Sequence, residues 1–439
     1  MISKLKVFIE KHSWLFFFFR FVPYSLRLGK AYNEHKRLQH EYEFFSKNDK
    51  DNFHYLKLKK ILDYAYYNND FYRSFYDSRG YNPSSFKKLD DFKNVPIVKK
   101  SDLKNYALKK RSCCNNSPFK VNTGGTSGEP LEFYLDKRSF AREWAYMHKI
   151  WGKLGYSYLD AKLAFRGKNN GGEPLTYNVI HNEYVVDAYV SYEELTESIR
   201  NLCKNKKINY LHGYPSSIYA FCKHIKDNNI DVLELFNGKL KGVFFGFEYP
   251  APVFRDLIEN TLEVKSVSWY GHSEMAILAY EKSENFTYYP FQTYGFVEVE
   301  SDPFGEGRLL GTSYYNFNSP FIRYDTGDLV SDTKYSDDVL YSFRIASGRI
   351  GDFIFDKENN PISLTALIFG RHHDAFNKID FLQIGQEKIG EATLFVTSRN
   401  SVELSDFDLN NVNIKFFLQR MEKPVKTNAG KIPLFVSQP

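Results

Sequence analysis

Along residues 30–110 the apolar positions recur at helical spacing, as in Leu56, Leu58, Ile61, Leu62 and Ala65 among Lys and Tyr. This pattern predicts helices lying on the outside of a larger body. From about residue 118 the texture changes. Short apolar runs, Lys162–Phe165, Ile208–Leu211, Gly242–Phe245 and Val264–Tyr270, stand between turn residues and are separated by helical stretches around 191–205, 215–228 and 250–260. Strands alternating with helices predict βαβ units and a substantially parallel sheet. Over 287–330 the periodicity shortens to alternating segments broken by Gly305, Gly307 and Gly311, which predicts antiparallel hairpins.

After Ser347-Gly-Arg-Ile-Gly-Asp352 the composition resets, and the remaining tail is long enough for a separate small unit. The expected organisation is therefore α/β. A large domain over 1–351, with a helical N-terminal region (1–110), mixed and largely parallel sheets and a small antiparallel β subdomain, precedes a small α+β domain over 352–439.

Length and composition narrow the class. At 439 residues the chain has room for two or three compact units. Its mean hydropathy of −0.47 reflects surface Lys, Asn and Asp rather than a thin core, since 43% of residues are hydrophobic and 18% aromatic. The net charge of +6 comes from 59 basic and 53 acidic residues. Such a mixed, mildly basic balance argues against nucleic acid as a partner. Cys113, Cys114, Cys203 and Cys222 form no CxxC pair and no spaced framework, which fits a reducing, cytoplasmic setting without a zinc site or disulfide scaffold.

Near the N-terminus, Trp14 to Phe19 is intensely apolar and follows Lys4, Lys6 and Lys11. Arg20 interrupts it and Pro23 ends it, so it is shorter than the roughly 20 residues a membrane span needs, and no small-residue cleavage site follows. Two readings remain: a helix packed on the protein's own surface, or a peripheral contact with the inner face of the membrane.

Candidate chemistry lies at five places. In Val121-Asn-Thr-Gly-Gly-Thr-Ser-Gly-Glu-Pro130, Gly124, Gly125 and Gly128 let the backbone approach a ligand, while Thr123, Thr126 and Ser127 add hydroxyl donors. That equipment suits anionic oxygens. It is not a Walker loop, because Gly128 is followed by Glu129 and not by lysine. In Trp269-Tyr-Gly-His-Ser-Glu274 an apolar strand runs into a turn carrying Tyr270, Gly271, Ser273 and Glu274, at the strand end where open α/β sheets bind ligands. Tyr270 suits a base, and Glu274 suits Mg²⁺ on phosphate oxygens or simply a helix start. His272 receives no role. In Arg323-Tyr-Asp-Thr-Gly-Asp328 a tight turn precedes a carboxylate able to accept both hydrogens of a ribose diol. Arg349 offers a guanidinium for phosphate or ribose, and Lys431, after Gly430, one ammonium from the tail.

Taken in this order, the Gly/Thr/Ser loop, YGxSE, YDTGD, GRxxD and GK resemble the motifs of the adenylate-forming superfamily of acyl-CoA synthetases, adenylation domains and luciferases. The closest likeness is to the phenylacetate-CoA ligase branch and, within it, to CapK-like proteins of capsule and surface-polysaccharide synthesis. It covers almost the whole chain, since Leu62 to Lys104, with Asn69-Asp-Phe-Tyr72, Asp90 to Phe92 and Val95 to Lys100, resembles that branch's helical N-terminal region. The resemblance implies ATP and Mg²⁺ as cofactors and formation of an acyl-adenylate from a small carboxylic acid. Thr123 to Gly128 would grip the β- and γ-phosphates, and Tyr270 would lie against adenine near Gly246 and Glu248. Glu274 would bind Mg²⁺, Asp328 the ribose and Arg349 ribose or phosphate. Asp352 would be the hinge of a mobile lid, and Lys431 would reach the α-phosphate from that lid. Tyr210, His212, Tyr214, Phe245, Phe247 and Trp269 fall where the family's acyl pocket lies.

Two departures matter. Pro130 is followed by Leu131 where many members carry lysine, and Phe355 to Pro361 lacks the Arg-Gly pair of many CoA ligases in the branch. The expected acceptor is therefore an amine, of an amino sugar or amino acid, or the thiol of CoA. A catalytically silent nucleotide-binding relative and a membrane-associated assembly protein are the competing functional classes.

Overall fold

The computed structural model describes residues 20–113, 118–123, 131–246, 250, 252–301, 307–347, 353–369, 371, 373–379, 381–398, 400–423, 425 and 434–436. The N-terminal segment is helical: α1 (Gly29–Tyr42), α2 (Lys47–Asn68) and α3 (Asp70–Asp77) follow one another. Ser46 and Asp49 form a capping box at the start of α2, and the Asn69 side chain accepts from the Tyr72 amide to start α3. These helices lie outside the sheet, yet their inner face is core: Leu58, Ile61, Leu62 and Ala65 are fully buried and pack in one cluster with Phe133, Ile322 and Phe343. Leu56 departs from the expected face and is exposed.

A hairpin, β1 (Phe119–Asn122) with β2 (Glu132–Leu135), precedes helix α4 (Ser139–Gly152). The main sheet then begins: β3 (Ala161–Phe165), β4 (Leu175–Asn178), β5 (Glu183–Val186), α5 (Tyr192–Cys203), β6 (Ile208–Gly213), α6 (Pro215–Asp227), β7 (Gly242–Phe245), α7 (Pro252–Leu262) and β8 (Ser266–Gly271). The four apolar runs and three helical stretches expected from the sequence all appear here. Strands β5, β3, β6, β7 and β8 are mutually parallel neighbours. Leu163, Leu211, Val243 and Phe245 face the core beneath α5, α6 and α7, whereas Tyr210, Phe244, Val267 and Trp269 face α4 through Tyr146, Ile150 and Trp151. Both faces are covered, as parallel strands require.

At β8 the sheet changes character. Its other neighbour, β9 (Leu278–Glu281), is antiparallel, and so are β10 (Tyr288–Pro290), β11 (Gly295–Ser301), β12 (Gly307–Ser313), β13 (Tyr324–Ser336) and β14 (Val339–Ser347), giving a 12-stranded mixed sheet. From Phe353 onward the chain builds separate small sheets, β15 (Phe353–Phe355) with β16 (Pro361–Ser363), and β17 (Phe381–Lys388), β18 (Glu391–Thr397) and β19 (Lys415–Arg420), around a core of Ile354, Leu367, Ile384 and Leu394. Arg371 from this part donates to the Tyr189 hydroxyl (2.6 Å) of the large sheet's side. Among the described residues no helix is long and apolar enough to cross a membrane. The Trp14–Phe19 run and Asp352 lie outside the described residues.

The helical layer is tied to the antiparallel strands by Arg323. Its Nε pairs with Glu298 (3.1 Å) and its Nη1 donates to the carbonyls of Lys93 and Val95 (both 2.7 Å), while Arg323 itself is 8% exposed. Burial pushes the Glu298 carboxyl up even with Arg323 beside it. Removing the guanidinium would strand that carboxyl and two carbonyls together. Arg323→Met is expected to cost about 3–5 kcal/mol, read as a fall in the urea midpoint at unchanged slope.

A partly buried acid responds to pH. Burial drives the Glu143 carboxyl on α4 up to about 7 from its ordinary 4.5, although it accepts from the Tyr294 hydroxyl and has His272 and Arg142 near it. The folded state thus holds this proton more tightly than the unfolded chain does. The contribution of this one group to stability is therefore greatest below about pH 4.5 and declines as pH rises toward 7, by at most about 3 kcal/mol. Glu143→Gln should flatten that slope in urea titrations across the interval.

Candidate active site

Two of the motif stretches meet where parallel pairing gives way to antiparallel. Tyr270, near the end of β8, donates its hydroxyl to Asp328 Oδ2 (2.6 Å) on β13. Its ring is held edge-on by Phe343 at 5.7 Å and Tyr288 at 6.5 Å. The turn after β8 closes with the Met275 amide on the His272 carbonyl. This brings Glu274, 7% exposed, beneath Tyr324: the Tyr324 hydroxyl donates to Glu274 Oε1 (3.2 Å). Oε2 of Glu274 faces His272 Nδ1 (3.0 Å) and the Ser273 hydroxyl (3.4 Å). Residues some 50 positions apart in the chain are thereby cross-braced. His272, given no role from the sequence, is one of the braces.

Asp328 does not follow a tight turn. It sits in a bulge within β13, where Leu310 opposes Asp325 and Arg308 opposes Leu329, so that Thr326, Gly327 and Asp328 bow out of the ladder. Gly327 adopts φ +77°, a conformation glycine takes without strain. The bulge is satisfied locally. Thr326 donates to the carbonyl of Leu309 (2.9 Å), which has no partner on β13, and its hydroxyl accepts from the Asp328 amide (3.2 Å). Asp325 accepts from the Gly327 amide (2.9 Å).

In sequence the Gly/Thr/Ser stretch joins β1 to β2. Its stem is clasped by Thr123, whose amide donates to the Leu131 carbonyl (2.9 Å) while its hydroxyl accepts from the Leu131 amide (2.8 Å). Leu131, at the position where the family often has lysine, is buried in the core shared with the N-terminal helices. Gly124, Gly125, Thr126, Ser127 and Gly128 lie outside the described residues, as do Phe247, Glu248, Arg349 and Lys431.

The aromatic set divides. His212 and Trp269 lie together, ring centroids 5.8 Å apart, on the sheet face toward α4. Gly246 follows β7 beside them, and a Cβ there would come within 2.3 Å of the Trp269 ring, so only glycine leaves room for the indole. Tyr214 begins α6, its amide donating to the Phe165 carbonyl (2.9 Å) at the end of β3. Tyr210 is core, stacked on Phe244 and donating to the Leu154 carbonyl (2.8 Å). Phe245 points to the opposite face, into the core beneath α6 and α7, where the Arg255 guanidinium lies 5.6 Å from its ring. Strand alternation predicts that division: neighbours on β7 cannot share a face.

Sequence reasoning passed over Arg166, the residue after β3. Its Nη2 reaches His212 Nδ1 (3.4 Å) and Glu183 Oε2 (2.5 Å). Burial, with Arg166 beside it, drives His212 far below the usual histidine range, so the neutral ring accepts at Nδ1.

The donor set suits Mg²⁺. That ion takes one or two carboxylates and completes its shell with substrate phosphates, and Glu274 presents one carboxylate fixed on three sides at a strand end. Among the described residues no group of three or more His, Cys, Asp or Glu side chains is placed to hold a metal by itself.

No family model matches the chain. Protein CapK of Staphylococcus aureus is 24% identical over 353 residues, 76% of this chain and 76% of that protein. The phenylacetate-coenzyme A ligase of Thermus thermophilus is 24% identical over 300 residues, 62% of this chain and 63% of that one. Among solved structures, 2-hydroxyisobutyryl-CoA ligase in complex with 2-HIB-AMP and CoA in the thioesterification state superposes with a TM-score of 0.56 at 20% identity, covering 88% of this chain and 89% of that chain. The chain thus shares the mixed-sheet fold of that ligase and is similar in sequence to CapK and to a phenylacetate-coenzyme A ligase, which supports a CapK-like place in the adenylate-forming superfamily.

Proposed function

We propose that the protein activates a small carboxylic acid with ATP. A carboxylate oxygen attacks the α-phosphorus, the bond from that phosphorus to the bridging oxygen of the β-phosphate breaks, and pyrophosphate leaves with its electrons. The acyl-adenylate then yields its acyl group to an amine or to the thiol of CoA. The observation that carries this reading is the convergence of Tyr270, Glu274 and Asp328 at the seam of the sheet. A CapK relative favours surface-polysaccharide synthesis as the setting, and buried free thiols at Cys113, Cys203 and Cys222 suit the cytoplasm.

In this reading the Tyr270 ring flanks adenine beside Gly246 and Glu248, and the Asp328 carboxylate takes the ribose hydroxyls. Thr123 to Gly128 hold the outer phosphates, with the Thr123–Leu131 clasp fixing the stem of the loop. Mg²⁺ held by Glu274 would place positive charge on the phosphate oxygens. His212, Tyr214, Phe247 and Trp269 border the acid, while Phe245 supports from the far face. The segment from 352 onward acts as a lid turning about Asp352, bringing Lys431 to the α-phosphate and carboxylate, with Arg349 at ribose or phosphate. Two anions must approach one another in this step, so positive charge fixed in advance is the chief catalytic requirement. Lid closure also shields the adenylate from water. The 2-HIB-AMP and CoA bound in the solved relative support the two-stage course.

Carboxylate-dependent exchange of labelled pyrophosphate into ATP tests the activity directly. A panel of sugar, hydroxy, amino and aryl acids should contain at least one that drives exchange above the acid-free background, and a flat panel would refute the reading. Lys431→Ala is expected to slow adenylation about 10²- to 10³-fold while calorimetry finds ATP affinity little changed. Asp328→Ala should do the reverse at the binding step, weakening ATP about tenfold or more in the same calorimetric titration.

A further inference from the structure

Beside the proposed acyl pocket lies a buried cluster with more positive than negative charge. Lys162 on β3 is fully buried between the rings of Trp151 (5.1 Å) and Tyr156 (5.6 Å). Its Nζ donates to the His181 carbonyl (2.8 Å) and pairs with Glu183 Oε2 (3.3 Å). Arg166 presses on the same Glu183 oxygen from the other side (2.5 Å). Glu183, also fully buried, accepts from the Asn178 amide at Oε1 (3.1 Å). Burial would raise its carboxyl, but Lys162 and Arg166 hold it well below the usual range, so it is ionised. Burial pulls Lys162 down only to about 8, which leaves it charged at neutral pH. Arg27, donating to the Ile180 carbonyl (2.9 Å), adds further positive potential. Among the described residues Glu183 is the one acid paired with Lys162 or Arg166.

Two cations on one carboxylate leave an excess positive charge in a poorly solvated place, which is costly until an anion joins it. Arg166 is where an anion can enter. Its side chain is 26% exposed, and its Nε is buried with no hydrogen-bond partner among the described residues. Arg166 follows the C-terminal end of a parallel strand and touches His212, so its open side belongs to the edge of the sheet where ligands of such folds bind. A guanidinium there matches a carboxylate in shape as well as charge.

We propose that Arg166, backed by Lys162 and Glu183, is a recognition site for a second carboxylate on the acid that the protein activates, so that the substrate class is dicarboxylic. The inference rests on the adenylation reading for its setting. The second carboxylate stays ionised against Arg166 while the first is adenylated.

Pyrophosphate exchange by the intact protein on short aliphatic and aromatic dicarboxylic acids, each beside its own half-amide, tests the proposal. The diacid should be preferred in kcat/KM by about 10- to 100-fold. Arg166→Met should collapse that ratio toward one, chiefly through KM, and Arg166→Lys should restore part of it. Thermal unfolding of the variant checks that Glu183, still paired with Lys162, keeps the fold intact. Half-amides used as well as diacids, or a ratio unmoved in Arg166→Met, would overturn the dicarboxylate assignment and leave adenylation standing. If no acid drives exchange, the reaction itself has failed and thermal shift decides the site. Stabilisation by a diacid over its half-amide, lost in Arg166→Met, upholds the anion site, and equal shifts overturn it.

Discussion

The structure depends on one guanidinium. Arg323 fastens the carbonyls of Lys93 and Val95 to Glu298, and the next residue, Tyr324, opens β13 and braces Glu274. The helical N-terminal layer and the strand bearing Asp328 are thus set by the same contact. Val98 extends the tie, its amide donating to the Arg323 carbonyl and its carbonyl accepting from the Asp325 amide. Without this stitch the apolar faces of α2 and β13 would still attract, but attraction alone does not fix a register. Directional groups do, which is why a costly buried ion pair stands there.

The site is assembled at a discontinuity. Parallel strands end their side chains and amides at one edge of the sheet, and antiparallel strands return the chain to that edge at once. Strand β8 has one neighbour of each kind. Tyr270 and the turn to Glu274 come from the parallel side, and Tyr324 and Asp328 are delivered by the antiparallel side. Neither half alone could bring these groups within hydrogen-bonding distance. The fold is then a solution to a positioning problem: the groups proposed to face the nucleotide come from both halves and share one seam.

Much of this was legible in the sequence, for identifiable reasons. The parallel half was readable because strands buried on both faces appear as short apolar runs, such as Gly242–Phe245, between helical stretches. The ordered motifs pointed to Tyr270, Glu274 and Asp328. What escaped was polar chemistry hidden inside apolar patterns. Lys162 sits within an otherwise apolar run and reads as an ordinary strand position, and Arg323 reads as a surface charge beside a motif, because pairing with Glu183 or Glu298 is a long-range event with no local trace. The bulge at Asp328 looked like a turn, since Asp-Thr-Gly-Asp carries the same composition in either. The acyl-pocket assignment put Phe245 beside Trp269, whereas alternation sends Phe244 toward α4 and Phe245 away from it.

The bulge in β13 also limits how this strand can evolve. Four residue steps on β13 are matched by two on β12, so two extra residues are accommodated and the inward or outward facing of later side chains is preserved. Loss of a single residue there would turn Val330 out of the core and Ser331 in, whereas loss of a pair would restore a plain ladder and delete only the projecting carboxylate. Length variation at this point should therefore come in twos, and a relative shortened by two would keep the architecture while shedding the carboxylate proposed to hold the ribose.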